Sequence, residues 1–304
     1  MENQTTVPYF LLLEFSKNQH LQLLHFFIFF VLYMATVTTN LLIISAVAFD
    51  HRLHSPMYFF LMNLAVQDIG AVSVIVPKSM INSLMDTRCI SYFGCAAQIF
   101  LFLFFVASDF SLLTVMAYDR YVAICRPLHY EMVMDWKYCT KIIILVWVTC
   151  LFYGMLHTIG TFSIRFCSNV VNQFFCEIPQ VLKLSCSGIN LFEVAVLMAS
   201  VIVVLGCFTF IVLSYTMIFK TVLRIPSEQG RQKALSTCIP HITVVSVFLL
   251  TGFLAYMRRP SDMPSYLDFG LTVLYSLLPP LFNPIIYSMR NKNIKFVLSH
   301  MWRF

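Results

Sequence analysis

Seven apolar runs, separated by short polar segments, form the main pattern of this chain. Each run has about twenty residues or more, which is the length that an α-helix needs to cross roughly 30 Å of hydrocarbon. The pattern therefore predicts an all-α membrane protein, a single seven-transmembrane helix bundle over residues 1–304. The predicted spans lie near residues 23–49, 57–79, 95–118, 142–162, 195–219, 239–257 and 266–288.

The composition supports a lipid environment and indicates the orientation. Hydrophobic residues make up 59% of the chain and charged residues 11%, whereas soluble domains carry about 25% charged residues. An odd number of spans places the termini on opposite faces. Basic residues favour the cytoplasmic side, and 13 of the 20 Lys and Arg residues fall on inner segments if the N-terminus is outside. The net charge of +6 then describes a cytoplasmic surface that faces acidic lipid and a protein partner, so nucleic acid is not needed to explain it.

The two ends of the chain carry further predicted features. Asn3 begins an Asn-Gln-Thr sequon and is a predicted glycosylation site on the outer side. The N-terminal stretch lacks the basic region and cleavage site of a signal peptide, so the first span is expected to direct the chain to the plasma membrane. The C-terminal end is expected to form a short amphipathic helix.

Cysteines on the predicted outer side indicate a covalently held loop. A bond from Cys95 to the loop 163–194 would hold this loop over the bundle as a lid, and a second bond would fix its shape. One thiol would remain, most simply Cys89, although spacing does not decide the connectivity. No close CxxC pair is present, so no metal site is predicted. The five outer cysteines, in a location where disulfides persist, are Cys89, Cys95, Cys167, Cys176 and Cys186.

Two carboxylates lie at the same predicted depth in the bundle. Asp68 and Asp109 are each eleven residues from the inner end of a span, about 16 Å along a helix. Because they cannot both ionise cheaply, they are expected to share a proton or hold a cation such as Na⁺. Asn283, in a span bent by prolines such as Pro284, would complete this polar core. The alternative is polar packing between helices.

One face of the third span connects the outer half of the bundle to the cytoplasmic edge. Its residues follow 4, 3, 4, 3, 4 spacing over about 27 Å. A ligand at the outer end would therefore act on the inner end through one rigid element. These residues are Phe102, Val106, Asp109, Leu113, Met116 and Arg120.

Several sequence strings carry a resemblance to a known family. They are PMYFFLMNLAVQD at 56–68, MAYDRYVAICRPLHY at 116–130, KALSTCIPH at 233–241 and NPIIYSMRN at 283–291. Together they resemble the odorant (olfactory) receptors among the rhodopsin-like G-protein-coupled receptors. The resemblance covers nearly the whole chain.

The resemblance implies roles for individual residues. Arg120, held by Asp119, would be released on activation to contact a G-protein. The implied disulfides are Cys95–Cys176 and Cys167–Cys186. The implied activation switch consists of Asp119, Arg120, Tyr121, Tyr215, His241, Asn283, Pro284 and Tyr287. The implied ligand pocket is lined by Phe102, Leu103, Val106, Ala107, Ile178, Ala199, Ser200, Val203, Gly252, Tyr256, Thr272 and Ser276.

The implied function is that of an odorant receptor. Its pocket is mostly aromatic and aliphatic, so it suits a small, neutral, mostly hydrophobic volatile ligand. Coupling to a stimulatory Gs/Golf-type G-protein would raise cyclic AMP. The alternative is an ion-coupled transporter or channel that uses Asp68 and Asp109, although the sequence shows no internal repeat to support it. No enzyme is predicted, because span histidines such as His157 and His241 lack a matched nucleophile or metal partner.

The chain also departs from the family's pattern at three places. Residues 248–250 read Phe-Leu-Leu where an aromatic FYG-like triplet is common, and Pro240 replaces a usual Ser. Gln173 stands in the lid loop where many members have His, which weakens any proposal of metal-assisted ligand binding there. The family usually has Glu where this chain has Asp109.

Overall fold

A computed structural model describes residues 8–13, 18–85, 87–186, 190–257, 266–290 and 292–301. Within these ranges seven helices are long and apolar enough to cross a membrane, namely α1, α2, α3, α5, α7, α8 and α9 below. The seven-span prediction is therefore confirmed. The helices are α1 Gln19–Phe49, α2 Pro56–Met85, α3 Tyr92–Cys125, α4 Tyr130–Val133, α5 Trp136–Phe162, α6 Ile178–Leu182, α7 Leu191–Leu223, α8 Glu228–Met257, α9 Tyr266–Arg290 and α10 Lys292–Met301.

Most spanning helices extend beyond the predicted apolar runs, because polar caps lie outside them. Ser91 accepts a hydrogen bond from the backbone N–H of Gly94 at 3.0 Å and so begins α3. Asp135 accepts one from the N–H of Tyr138 at 2.7 Å at the start of α5. These side chains satisfy N–H groups that have no partner inside the helix.

α3 is the central helix of the bundle and packs against α2, α5, α7 and α8. The prolines of α9 change its backbone hydrogen bonding. Pro284 has no N–H, so the carbonyl of Pro280 lacks its usual helical partner. Asn40 of α1 donates its side-chain N–H to this carbonyl at 3.0 Å. The proline-containing part of α9 is thus tied to the first span.

A feature that sequence analysis did not predict is a small sheet at the outer end. The strand β1, Tyr9–Leu11, pairs in antiparallel register with β2, Cys89–Ser91. The side chain of Phe10 is fully buried, and its ring packs edge-on against Phe166 with centroids 5.4 Å apart. Cys89 lies in β2 as an exposed free thiol.

The last described helix, α10, confirms the predicted amphipathic C-terminal helix. Ile294 and Val297 are buried, whereas Phe296 is on the exposed side. The guanidinium of Arg52, in the turn His51–Leu53 after α1, lies 5.1 Å from the centre of the Phe296 ring. The helix is therefore held against the inner end of α1.

Candidate functional site

The loop between α5 and α7 forms a lid that enters the outer half of the bundle. Cys95–Cys176 and Cys167–Cys186 are both bonded, as the resemblance implied. Gln98 of α3 accepts a hydrogen bond from the backbone N–H of Cys176 at 2.8 Å. The lid is therefore fixed to α3 by a covalent bond and by a polar contact beside it.

Two aromatic side chains of the lid fill the space between the helices. Phe174 and Phe175 have no exposed surface. The ring of Phe175 lies 5.1 Å from that of Phe102, and Val106 packs against the same buried cluster. Phe102 and Val106 are thus brought together with the lid.

The other predicted pocket residues of α3 and the lid lie around this cluster. Leu103 and Ile178 pack against the neighbouring cluster at Cys176. Ala107 packs against the inner core. Of the four predicted α3 residues, Phe102 and Val106 therefore pack with the lid aromatics, while Leu103 and Ala107 pack in two other clusters.

The hydroxyl groups predicted for α9 are buried and already bonded within the protein. Thr272 accepts a hydrogen bond from the side-chain N–H of Gln173 at 2.7 Å. Ser276 donates to the backbone carbonyl of Thr272 at 2.7 Å. Gln173, the residue that replaces the family's usual His, thus links the lid to α9. A ligand group that bonded Thr272 would compete with this contact.

Ala199, Val203 and Gly252, predicted on α7 and α8, do not join this group. Ala199 and Val203 lie on the outward surface of α7, and Val203 is 63% exposed. Gly252 has no neighbouring atom within 4 Å of the position that a Cβ would occupy. The side chain of Tyr256 and the residue Asn3 lie outside the described part of the chain.

Ser200 belongs to a separate polar cluster around His157. This corrects the expectation that His157 lacks a matched nucleophile. The Nε2 atom of His157 lies 3.0 Å from the Ser200 hydroxyl, and its Nδ1 atom lies 2.9 Å from the Glu193 carboxylate. This order of groups matches a serine–histidine–acid triad. Ser200, however, is inside α7, where backbone N–H groups are used by the helix, so no oxyanion hole is available.

The polar core at mid-depth has the composition that the sequence predicted. Asn283 donates its side-chain N–H to both carboxylate oxygens of Asp68, at 3.0 and 3.1 Å. Asp68 and Asp109 are both buried, and one oxygen of Asp109 has no protein partner. Two buried carboxylates with a free oxygen form an oxygen-rich site that suits a proton or a hard cation.

At the cytoplasmic end, the carboxylate of Asp119 has a partner that sequence analysis missed. Tyr130 of α4 donates its hydroxyl hydrogen to Asp119 at 2.8 Å. Burial and the nearby Asp119 carboxylate raise the pKa of Tyr130, so this hydroxyl keeps its hydrogen. Within the described ranges no ion pair of 4.0 Å or less joins Asp119 to Arg120. The loop after α3 therefore provides the closest contact of Asp119.

Arg120 lies at a small crevice between the inner ends of the helices. It is 7% exposed, and its Nε atom and the Tyr287 hydroxyl have no hydrogen-bond partner. The crevice has a cavity volume of about 20 Å³, which is room for about one water molecule. One turn of helix, a cylinder about 10 Å wide and 5.4 Å high, occupies roughly 420 Å³. The crevice is therefore too small to hold a helix. The lining residues are Met57, Leu61, Met116, Arg120, Ser236, Thr237, Pro240 and Tyr287.

A buried histidine joins three helices above this crevice. The Nε2–H of His241 on α8 donates to the backbone carbonyl of Leu113 on α3 at 3.0 Å. Its Nδ1 atom accepts the hydroxyl hydrogen of Tyr215 on α7 at 2.8 Å. Tyr215 is therefore bonded to His241 in this closed arrangement. We call these three groups the His241 latch.

Two further residues at the inner face were not predicted. Leu128 is 96% exposed and Met132 is 74% exposed, both in the segment after α3. Predicted residue Tyr121 lies on the same side, with the Arg126 guanidinium 5.9 Å from its ring centre. Large apolar side chains projecting from a cytoplasmic loop are a feature of protein-binding surfaces.

Comparisons with known proteins agree with this arrangement. A family profile described as olfactory receptor matches residues 29–303. The chain is 46% identical to human olfactory receptor 14A16, with 98% of this chain and 97% of that protein covered. It is 48% identical to human olfactory receptor 14C36, with 100% and 97% covered. Squid rhodopsin has a similar fold, with a TM-score of 0.76 at 17% identity, covering 94% of this chain and 81% of that one.

The fold is that of the rhodopsin-like G-protein-coupled receptors, multi-pass proteins of the plasma membrane. Within that class the chain belongs to the olfactory receptor family. Membership implies a small-molecule ligand outside and a G-protein partner inside. It also makes the protein a signalling receptor rather than an enzyme. Because a receptor accounts for the family and the fold, the transporter or channel alternative is not needed.

Proposed function

We propose that this receptor binds a small, neutral, mostly hydrophobic volatile molecule beneath the lid and activates a stimulatory Gs/Golf-type G-protein, raising cyclic AMP. The observation that carries the proposal is the aromatic cluster at Phe102, Phe174 and Phe175, where the lid meets α3. A ligand that enters here contacts the one helix that also carries Arg120.

The chemistry of the outer half favours a neutral ligand. The two described acids nearest the lid are already bonded, since Glu177 accepts a hydrogen bond from Tyr275 and Glu193 pairs with His157. A charged ligand would have to leave water for a region lined mainly by aromatic side chains, at a desolvation cost. An apolar ligand needs only to shift aromatic side chains.

The inner face supports coupling to a protein partner. Arg120 has an unpartnered Nε atom, and Leu128, eight residues further along the chain, is almost fully exposed. A charged donor in a buried recess and an exposed apolar side chain on the same cytoplasmic face provide a polar and a hydrophobic contact. The choice of a stimulatory G-protein rests on the resemblance to odorant receptors.

A reporter screen tests this proposal. Cells that express the receptor would be exposed to a library of volatile compounds while cyclic AMP is measured. We expect responses in the wild type, none in Arg120→Ala, and an altered ligand preference in Val106→Phe. Thr243→Val, an exposed position on α8, is the control. Responses that persist in Arg120→Ala at normal surface expression would refute the coupling.

We also propose that the polar core of Asp68, Asp109 and Asn283 binds Na⁺ or holds a shared proton. The free oxygen of Asp109 supports this proposal. A neutralising proton or cation would stabilise the closed bundle by removing the repulsion between the two carboxylates. A titration of the thermal midpoint with NaCl, against choline chloride as control, distinguishes a bound cation from a shared proton.

A further inference from the structure

The outer part of α2 carries a buried amide group that the protein does not satisfy. Asn82 is 4% exposed, and neither its Oδ1 nor its Nδ2 atom has a hydrogen-bond partner in the described part of the chain. The nearby serines of α2 are satisfied, since Ser79 donates to the Ile75 carbonyl at 2.9 Å and Ser83 to the Ser79 carbonyl at 3.0 Å. A buried amide without partners costs free energy, so Asn82 is an exception that the packing of α2 does not explain.

The direction in which Asn82 faces follows from its neighbours on α2. Ser79, whose hydroxyl donates to the Phe174 carbonyl at 3.3 Å, faces the lid. The carbonyl of Val74 accepts a hydrogen bond from Gln98 Nε2 at 3.0 Å and so faces α3. Asn82 lies between these two directions, about 60° from Ser79 and about 80° from Val74 around the helix. It therefore faces the corner where α2, α3 and the lid meet.

This corner adjoins the aromatic cluster beneath the lid. Ile75 has no exposed surface and belongs to the same cluster as Phe102, Phe174 and Phe175. Asn82 follows Ile75 by two turns, so it lies on the same face of α2, about 10 Å further out. A ligand among these aromatic rings would thus have Asn82 on its extracellular side.

Lys78 adds a hydrogen-bond donor to the same face. It lies one turn before Asn82, about 6 Å along the helix axis, and it is half-buried. Among the residues that the structure describes, no carboxylate lies within 4.0 Å of its ammonium group. An unpaired cation within a spanning helix is costly and marks a candidate functional position.

The hydrogen-bonding capacity of these two side chains selects one ligand group. Asn82 offers both an acceptor oxygen and N–H donors, whereas Lys78 offers donors only. A hydroxyl group can donate to Oδ1 of Asn82 while its oxygen accepts from an N–H group. A ketone, an ester or a carboxylate only accepts, so it would leave Oδ1 unbonded. Sites with buried polar groups discriminate against ligands that leave those groups unpaired.

We propose that Asn82, together with Lys78, binds the hydroxyl group of an alcohol ligand at the corner of α2, α3 and the lid. Since it requires a ligand beneath the lid, this assignment rests on the proposed function, and it narrows the neutral ligand to an alcohol. The apolar part of the alcohol would lie against the aromatic cluster. Its hydroxyl would point outward and satisfy the amide that the folded chain leaves unbonded.

Shifts of the thermal midpoint test the site without any G-protein. The purified full chain in phosphatidylcholine nanodiscs would be titrated with 1-alkanols of about four to ten carbons, and with the 2-ketone and the carboxylic acid of each length. In the wild type, the best alcohol should act at about 10-fold lower concentration than its ketone or acid. This preference should disappear in Asn82→Leu and weaken in Lys78→Met. Ile81→Leu, at an exposed position on the same helix, is the matched control and should keep it.

The receptor without ligand gives a second readout. Because Asn82→Leu removes an unbonded buried amide, its thermal midpoint should lie about 2–4 °C above that of the wild type. A lower midpoint would show that bound water satisfies the amide as part of the structural core, and would overturn the assignment.

An alcohol preference that survives in Asn82→Leu would also overturn it. If Asn82→Leu does not fold, a preference that is unchanged in Lys78→Met has the same consequence. Equal shifts by alcohols, ketones and acids that Val106→Phe abolishes would remove the hydroxyl site but leave the ligand pocket of the proposed function intact. A cyclic AMP response to other volatile compounds, with no midpoint shift by any alkanol, would likewise remove the hydroxyl site alone.

Discussion

The His241 latch leads to the sharpest prediction about activation. His241→Phe keeps an aromatic ring of similar size but removes the two nitrogens that bond Leu113 and Tyr215. Because the latch is formed while the Arg120 crevice is too small for a helix, its loss should favour the open arrangement. Basal activity, measured without ligand, should therefore rise.

The magnitude follows from the two lost bonds. A buried hydrogen bond contributes about 1 kcal/mol net, so two contribute about 2 kcal/mol, a factor of about 30 in the closed-to-open ratio. If about 1% of the wild type is open, roughly 20% of the variant should be open. Because His241→Phe leaves Tyr215 unchanged, the variant keeps any contact that Tyr215 makes in the open state.

The assay is nucleotide exchange on a purified heterotrimeric G-protein, with the receptor in nanodiscs and without ligand. Thr243→Val is again a suitable control, since it removes a hydroxyl that bonds only the Ile239 carbonyl of its own helix. We expect a rise of about 20-fold for His241→Phe and none for the control. Equal basal exchange in well-folded His241→Phe and wild type would show that the latch does not hold the closed state.

Three further predictions test other contacts. Leu128→Ala should leave the thermal midpoint unchanged, because the side chain is 96% exposed, but should weaken G-protein binding about 5- to 30-fold if Leu128 is an interface anchor; full coupling would exclude that role. Tyr130→Phe removes the donor to Asp119 and should lower the thermal midpoint by about 2–4 °C, whereas an unchanged midpoint would mean that water replaces this bond. In Asp109→Asn, NaCl should no longer raise the thermal midpoint if the polar core binds Na⁺; persistent stabilisation would place the ion elsewhere.

Features that depend on one segment of sequence were predictable. Span length follows from apolar runs, and the six stripe residues of α3 follow from helical spacing. In the structure the two ends of that stripe meet different surroundings, since Phe102 contacts the lid and Arg120 lines the crevice. The depth of Asp68 could be predicted because helical rise is constant.

Features that depend on the rotation of one helix against another were not predictable. α7 is apolar on all sides, so its sequence does not indicate which face meets the bundle. Val203, placed in the pocket by the family resemblance, lies instead on the exposed surface. For the same reason His157 and Glu193, 36 positions apart, could not be paired in advance. The strand β1 is too short for any periodicity to show.

Pro240 gives a physical reason to expect that a small change at the ligand site opens the inner side. Because Pro240 has no N–H, the carbonyl of Ser236 one turn earlier lacks its helical partner, and α8 can bend there. Both residues line the Arg120 crevice, and the next residue is His241. Hydrogen bonds weaken steeply with distance and angle, so a shift of α3 by about 1 Å would break the 3.0 Å contact between Leu113 and His241. The segment of α8 before Pro240 would then be free to swing outward, and the crevice would widen towards the size of a helix.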